Sequence, residues 1–422
     1  MTMRPQLHLT PRTGWMNDPH AITWHDGRYH VFYQYVPDRL TWGSNCHWAH
    51  VTSPDLLGDW HDEGVALAPG DGDDGIWTGS LVIGDDGRAR IFYTSVVEPN
   101  LGIGRVRTAV PADDGWTQWR KGPVVVEAPS DLDLVAFRDP FVQRDGDGWR
   151  MHVGAGTTDG TALALTWTSS DLDHWRYAGI ALQRSTQERD PVWTGALWEC
   201  PQLIEVDGHA VMVSSVWSDD VLYYAGYAIG SFEGTRLVAH GWGQVSFGDS
   251  YYAPSFFRDR EGRPCLTFWM RGVRDEEAGW ASCHSIPYLL SVRNDRLWLE
   301  PHPNVTDRIP DQPADSASGV LVAALRWQTA QGRLQIETTG TAVAEIEVTD
   351  SVLVLRRRGA ADQVMPIEDS EFLLVLDGPV LEICASGRVI GGAIEPASAV
   401  RDASGQLVAG AVGTQPRLAT LG

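Results

Sequence analysis

Five acidic-glycine pairs, Asp26-Gly27, Asp86-Gly87, Asp147-Gly148, Asp207-Gly208 and Glu261-Gly262, recur with steps of 60, 61, 60 and 54 residues. Such pairs close tight hairpins, because the turn needs positive φ that glycine supplies at no steric cost. After each pair comes a strand-like run: Tyr29 to Tyr35, Ala89 to Val96, Trp149 to Gly156, His209 to Val216 and Pro264 to Arg271. Phe32, Phe92, His152, Met212 and Phe268 fall in register within these runs. A third strand ending in Trp is expected in three units, at Trp60, Trp119 and Trp175. Two units also share a phrase, Ser53-Pro54-Asp55-Leu56 and Ser169-Ser170-Asp171-Leu172. Five copies of a multi-stranded unit with little helical periodicity predict an all-β fold, a five-bladed β-propeller over residues 1–305. A solenoid is the alternative, but a closed ring shields strand edges that a solenoid leaves open.

In a propeller the first strand of each blade lines the central channel. That brings together Asn17-Asp18, Thr78-Gly79-Ser80, Arg138-Asp139, Glu199-Cys200 and Tyr252-Ala253. Asp18 is further constrained by Pro19, which lacks a backbone donor, fixes its own φ and biases the preceding residue to an extended conformation. Three acids from three blades, Asp18, Asp139 and Glu199, are therefore expected in one pocket.

Beyond Pro301 the pattern changes. Residues 306–319 read as a linker, because the stretch from Arg308 to Gly319 is rich in Pro, Asp and Ser. Short apolar or alternating runs follow, at Leu334 to Thr338, Ala344 to Val348, Val352 to Arg356 and Phe372 to Leu376. They predict a β-sandwich over 320–422, serving packing and substrate shaping.

A net charge of -22 excludes nucleic acid and anionic membrane as partners, since both would repel the chain, and favours a small-molecule or oligosaccharide substrate. The opening MTMRPQLHLT has no apolar stretch of signal-peptide length, so a cytoplasmic protein is expected. The five cysteines lack metal or redox spacing and are expected as buried thiols. Asp71, Asp73 and Asp74 lack a downstream Glu at calcium-loop spacing and read as a solvated turn; no metal or cofactor is expected. Most of the 19 Trp are expected in the core, the remainder as flat platforms for sugar rings.

Carboxylates gathered in a Trp-rich funnel suit glycoside cleavage, which needs one ionised and one protonated carboxyl flanking the scissile bond. Here the chain resembles glycoside hydrolase family 32, the invertase, fructanase and β-fructosidase group. The motifs are WMNDPH (Trp15 to His20), FYQY (Phe32 to Tyr35), WTGS (Trp77 to Ser80), FRDP (Phe137 to Pro140), WECP (Trp198 to Pro201) and YYAPSF (Tyr251 to Phe256). SIPYLLSV (Ser285 to Val292) and VLDGPVLEIC (Val375 to Cys384) extend the likeness into the C-terminal part. The resemblance implies a retaining enzyme that releases β-D-fructofuranosyl units from sucrose or short fructans. It implies Asp18 as nucleophile, Glu199 as general acid/base and Asp139 as transition-state stabiliser, with Asn17, Gln34, Trp42, Trp77, Thr78, Arg138 and Trp269 contacting the fructosyl unit. Asp18 and Glu199 are then expected about 5 to 5.5 Å apart. The chain departs from the family pattern at His20, Ala21, Thr78, Phe268 and Ser250, positions expected to border the leaving-group side. A fructosyltransferase, an arabinanase-like hydrolase and a non-catalytic sugar-binding propeller are the other readings.

Overall fold

A computed structural model describes residues 4–308 and 321–410, nearly all of them in strands or their connections. The fold is a five-bladed β-propeller followed by a β-sandwich. Blade I runs from Gly14–His25 to His61–Leu67, blade II from Gly75–Ile83 to Trp119–Val126, blade III from Leu134–Asp145 to Arg176–Ser185 and blade IV from Leu197–Val206 to Arg236–Gln244. Each is four antiparallel strands in chain order. Blade V opens with Tyr251–Arg258 and Pro264–Asp275. The second of these pairs with both Trp280–His284 and Tyr288–Arg293, and Arg296–Pro301 forms the outer edge.

The first strands touch in cyclic order, I to II to III to IV to V and back to I, so the ring is closed. Closure is sealed by parallel pairing of Gly14 with Trp280 and Trp15 with Ala281. Gly14 donates its N–H to the Gly279 carbonyl at 2.9 Å. It sits at φ 77°, and a Cβ there would lie 2.4 Å from the Val36 carbonyl oxygen, so the seam requires glycine.

The expected second strands are present, at Arg28–Val36, Ala89–Val96, Gly148–Thr157, His209–Ser218 and Pro264–Asp275. Asp26-Gly27 and Asp207-Gly208 form their turns with both φ positive, 45° and 76° in one, 50° and 78° in the other. In blade III the turn residues are Gly146 and Asp147, one position earlier than the sequence pair suggested, because Gly148 already pairs with Asp145. Trp60, Trp119 and Trp175 do not end third strands; they stand at the entry to the fourth. Their indole N–H groups donate to the Leu7, Trp116 and Leu172 carbonyls, which fixes them to turn backbone instead of a ladder. The repeated phrase is a repeated turn: Ser53 Oγ accepts from the N–H of Asp55 and Leu56, and Ser169 Oγ from that of Asp171 and Leu172.

Only 8 of the 19 Trp are fully buried, fewer than expected. Of the others, Trp60, Trp119, Trp175 and Trp193 donate the indole N–H to backbone carbonyls, and Trp42, Trp77 and Trp217 face the central cavity described below. All five cysteines are buried and unpaired. Asp73 is not solvated: it is buried, paired with Arg107 and Lys121 and bonded by Tyr93 and Ser95. Among the described residues no helix is long and apolar enough to cross a membrane.

The sandwich packs a sheet of four of its own strands against a six-stranded sheet, and the expected runs lie in Gly332–Thr338, Thr341–Val348, Val352–Arg357 and Glu371–Asp377. We propose the domain limits read from the sequence. Linker residues 309–319 lie outside the described residues, and 306–308 end a short helix, Pro303–Arg308. Two of the links between propeller and sandwich are a strand pairing and a buried charge cluster. Ser246–Phe247, between blades IV and V, pairs in parallel with the edge strand Arg388–Ala393. Near the N-terminus, buried His8 sets Nδ1 2.8 Å from Asp377 and Nε2 2.7 Å from Glu382. Asp377 also accepts the N–H of Gln6, Leu7 and His8, and Glu382 accepts from Tyr251, Tyr288 and the Ile286 N–H.

Burial opposes charge on His8, but the bonds to Asp377 and Glu382 outweigh it and push the imidazolium up to about 9. Unfolded histidine titrates near 6.5, so this stabilisation is whole below that pH and is lost as pH rises through about 9. His8→Ala is expected to cost about 3 kcal/mol at pH 6 in urea unfolding, as for a broken buried ion pair, and clearly less at pH 9.5. An equal cost at both pH values would show that His8 is not charged.

Candidate active site

Each innermost strand slips register with its neighbour at an equivalent place. Pairing jumps from Met16 to Pro19, Trp77 to Gly79, Arg138 to Phe141, Glu199 to Gln202 and Tyr252 to Ser255. These are β-bulges, which bend a strand and re-aim its side chains. Proline can occupy such places because no ladder donor is needed, and Pro19, Pro140, Pro201 and Pro254 stand at four of the five. Asp139, Cys200 and Ala253 take φ 66°, 48° and 46°, a conformation costly for residues with a Cβ. Their N–H groups are satisfied from the preceding blade: Asp139 donates to Thr94 Oγ1 at 2.8 Å, Cys200 to Asp139 Oδ2 at 2.9 Å and Ala253 to Ser215 Oγ at 2.8 Å.

As a result Asn17, Trp77, Arg138, Glu199 and Tyr252, one from each blade, line a single cavity of about 520 Å³. Glu199 is thus the counterpart of Arg138, not of Asp139, and Cys200 takes the place that Asp18, Thr78 and Asp139 hold in other blades. Asp18 accepts from Thr78 Oγ1 at 2.6 Å, Asn17 Nδ2 at 3.0 Å and Gln34 Nε2 at 3.1 Å. Cys200 Sγ lies 3.6 Å from the same carboxylate. Glu199 is held on both oxygens, Oε1 by Arg138 at 2.9 Å and Oε2 by the Tyr252 hydroxyl at 2.6 Å.

Burial pushes Asp18 up to about 6, against the bond from Thr78 and with the help of the Glu199 charge. Burial also pushes Asp139 up to about 7; Arg138 opposes this, while Glu199 and Asp18 reinforce it. Asp18 and Asp139 thus hold protons more tightly than free aspartates do, each under the charge of the acids beside it.

Of the ten residues singled out in the sequence, Asn17, Asp18, Gln34, Trp42, Trp77, Arg138, Asp139, Glu199 and Trp269 line the cavity. Thr78 stands behind Asp18. Asn17 Oδ1, Gln34 Oε1 and Trp269 Nε1 are buried without a protein partner. Leaving such groups unpaired costs about 1–3 kcal/mol each, so they suit a polyhydroxylated ligand. Sequence reasoning placed Tyr252 at a corner but gave it no role. It missed Trp217, Asp220 and Leu222, which lie at the second hairpin of blade IV, where no motif marks them.

The departures from the family pattern mostly do not border the cavity. His20 is fully buried against Trp48, with ring centroids 3.9 Å apart, and Phe268 and Ser250 are buried as well. Every lining residue belongs to the propeller, so among the described residues the sandwich shapes no part of this cavity. Asp259, Cys265 and His302 bring possible metal-ligand atoms within 4.8 Å of one another. The Arg263 guanidinium already bonds Asp259 at 2.6 Å and approaches His302 at 3.3 Å, so the place is taken by a cation of the chain itself.

Residues 8–301 match the model of the glycosyl hydrolases family 32 N-terminal domain. The chain belongs to glycosyl hydrolases family 32. This family 32 protein is 32% identical over 320 residues to a sucrose-6-phosphate hydrolase of Escherichia coli, covering 71% of this chain and 65% of that one. It is 30% identical over 321 residues to a sucrose-6-phosphate hydrolase of Bacillus subtilis, covering 72% and 66%. A cell-wall β-fructofuranosidase of Zea mays is 29% identical over 389 residues, covering 82% and 62%. The chain thus spans just under two thirds of the length of these relatives. Among solved structures, the Bombyx mori β-fructofuranosidase BmSUC1 shares the fold with TM-score 0.78 at 24% identity, over 93% of this chain and 89% of that one. A sucrose-6-phosphate hydrolase of Lactobacillus gasseri does so with TM-score 0.78 at 20% identity, over 98% and 91%.

The raised Asp139 carboxyl has a stability consequence in this family 32 protein. An acid whose folded pKa of about 7 lies above its unfolded value near 3.9 adds no penalty below 3.9 and its full penalty above about 7. Asp139→Asn retains an acceptor for the Cys200 N–H. It is expected to raise the melting temperature at pH 8 by about 2–4 °C and to leave it unchanged at pH 4. A loss at pH 8 would show that ionised Asp139 is a net stabiliser.

Proposed function

We propose that the protein is a retaining β-fructofuranosidase acting on sucrose or short fructans. The observation that carries this reading is the placing of two differently held carboxyls on one cavity. Asp18 accepts three hydrogen bonds from neutral side chains, and Glu199, from a different blade, is held by Arg138 and Tyr252. The names of the relatives, sucrose-6-phosphate hydrolases and β-fructofuranosidases, support a fructoside as substrate.

In the first half-reaction an Asp18 oxygen attacks the anomeric C2 of the fructosyl unit. The bond from C2 to the glycosidic oxygen breaks, and the Glu199 proton passes to that oxygen as the leaving sugar departs. In the second half Glu199 takes a proton from water, whose oxygen attacks C2 and frees Asp18. Two displacements at C2 retain configuration. Asn17, Gln34 and Trp269 have polar atoms free to meet fructose hydroxyls, and Trp77 with Trp42 forms an aromatic wall, ring centroids 5.7 Å apart. Asp139 joins the two halves of the site, since its carboxylate holds the N–H beside Glu199 and its charge favours positive charge developing on the ring.

Attack requires Asp18 ionised, so kcat/KM for sucrose is expected to fall below about pH 6, the value to which burial raises Asp18. Asp18→Asn and Glu199→Gln are each expected to lower fructose release by about 10³-fold or more, with unchanged circular dichroism. With methanol as acceptor the product should be methyl β-D-fructofuranoside; the α-anomer would rule out the double displacement.

A further inference from the structure

The cavity also restricts the charge its substrate carries. Among the described residues Arg138 is the single cation in its lining, and that guanidinium is committed to Glu199 at 2.9 Å. Arg271 packs behind the wall and spends its nitrogens on the carbonyls of Leu222, Tyr223 and Ser250. Arg39, on the loop that carries Trp42, is paired with Asp38. Against these stand four lining carboxylates: Asp18, Asp139, Glu199 and Asp220.

Asp220 owes its position to an unusual turn. The blade IV hairpin closes between Ser218 and Val221, and its two central residues, Asp219 and Asp220, adopt φ 52° and 58°. Turns of this hand usually take Asn-Gly, because a Cβ disfavours positive φ. Two aspartates there accept backbone strain and place a carboxylate on each of two depressions. Asp220 faces the cavity, and Asp219 faces a neighbouring depression that is walled by Trp193 and Tyr223 and holds Arg189 together with Asp159. The remaining mouth is largely apolar, with Trp42 and Val135 each about half exposed and Leu101 and Leu222 beside them.

We propose that this site takes uncharged fructosides and rejects those phosphorylated on the leaving sugar, with Asp220 setting the discrimination. The inference rests on the hydrolase reading above. A phosphate carries nearly two negative charges at pH 7 and is held by unpaired Arg or Lys side chains or by the N–H groups at a helix start. The lining offers neither: its cation is spent, and the single helix among the described residues, Pro303–Arg308, contributes nothing to it. A phosphorylated sugar would surrender hydration at an apolar rim and meet the Asp220 carboxylate. Like charges brought together disfavour the wrong partner. The E. coli and B. subtilis relatives are named for a phosphorylated sugar, and this site is assigned the opposite preference.

The test is kcat/KM of the wild-type protein on sucrose and on sucrose 6-phosphate, at about 20 mM and about 300 mM salt. Sucrose is expected to be favoured by at least about tenfold, with the phosphorylated sugar gaining as salt screens the repulsion. In Asp220→Lys the ratio should move by about fivefold or more toward the phosphorylated sugar. Equal or better use of sucrose 6-phosphate, a rate on it that falls with salt, or a ratio unmoved in Asp220→Lys would overturn the proposal. If neither sugar is hydrolysed, the activity reading fails. Calorimetric binding of the two sugars to the wild-type protein then decides the specificity, tighter binding of sucrose supporting it and tighter binding of the phosphorylated sugar overturning it.

Discussion

Closing five sheets into a ring forces five strand ends toward one axis, where backbone polar groups and acidic side chains compete for very little water. The bulges resolve that competition. In blades III, IV and V the N–H freed by the slip finds an acceptor on the preceding blade instead of its own neighbour strand. Asp139 serves twice in this arrangement, donating from its backbone to Thr94 and accepting on its carboxylate from Cys200. The acids of the cavity are therefore structural members of the ring, and their geometry is set by the same contacts that hold the blades in sequence.

Crowding three carboxyls in one cavity has an electrostatic cost, and the fold distributes it unevenly. Arg138 is given to Glu199, while Asp18 is surrounded by neutral donors and Asp139 by backbone. The three carboxyls of one cavity are therefore held by three different kinds of partner. The sandwich stands apart from this chemistry. Asp377 and Glu382, both within the VLDGPVLEIC run, are buried acceptors for His8 and for the tyrosines of blade V. That run ties the chain's start and blade V to its second domain.

Some features were legible because they are local. Acidic-glycine turns, strand-like runs and prolines after the corner residues are each decided within a few positions, and the second strands start within one residue of where they were expected. Others misled for equally physical reasons. Trp60, Trp119 and Trp175 mark a recurrent turn, but a periodic Trp does not say whether its indole closes one strand or opens the next. Asp73 sits in an acidic cluster that looks solvated along the chain, yet Arg107 and Lys121 reach it from distant strands of the same blade. His20 and Phe268 look like substrate-side variations because they adjoin motif residues; strand alternation turns them into the core instead.

The sequence alone determined the repeat, the five-bladed ring, the family resemblance and the three acids that converge, because period, turn chemistry and motif order need no knowledge of distance. Tertiary structure decided which residue of each corner faces the cavity, since a slip of one position at a bulge reverses every side chain beyond it. It also decided the partners of each acid, the role of Tyr252 and the place of Asp220 at the mouth. Those depend on contacts between blades some sixty residues apart, and such contacts exist only once the ring has closed.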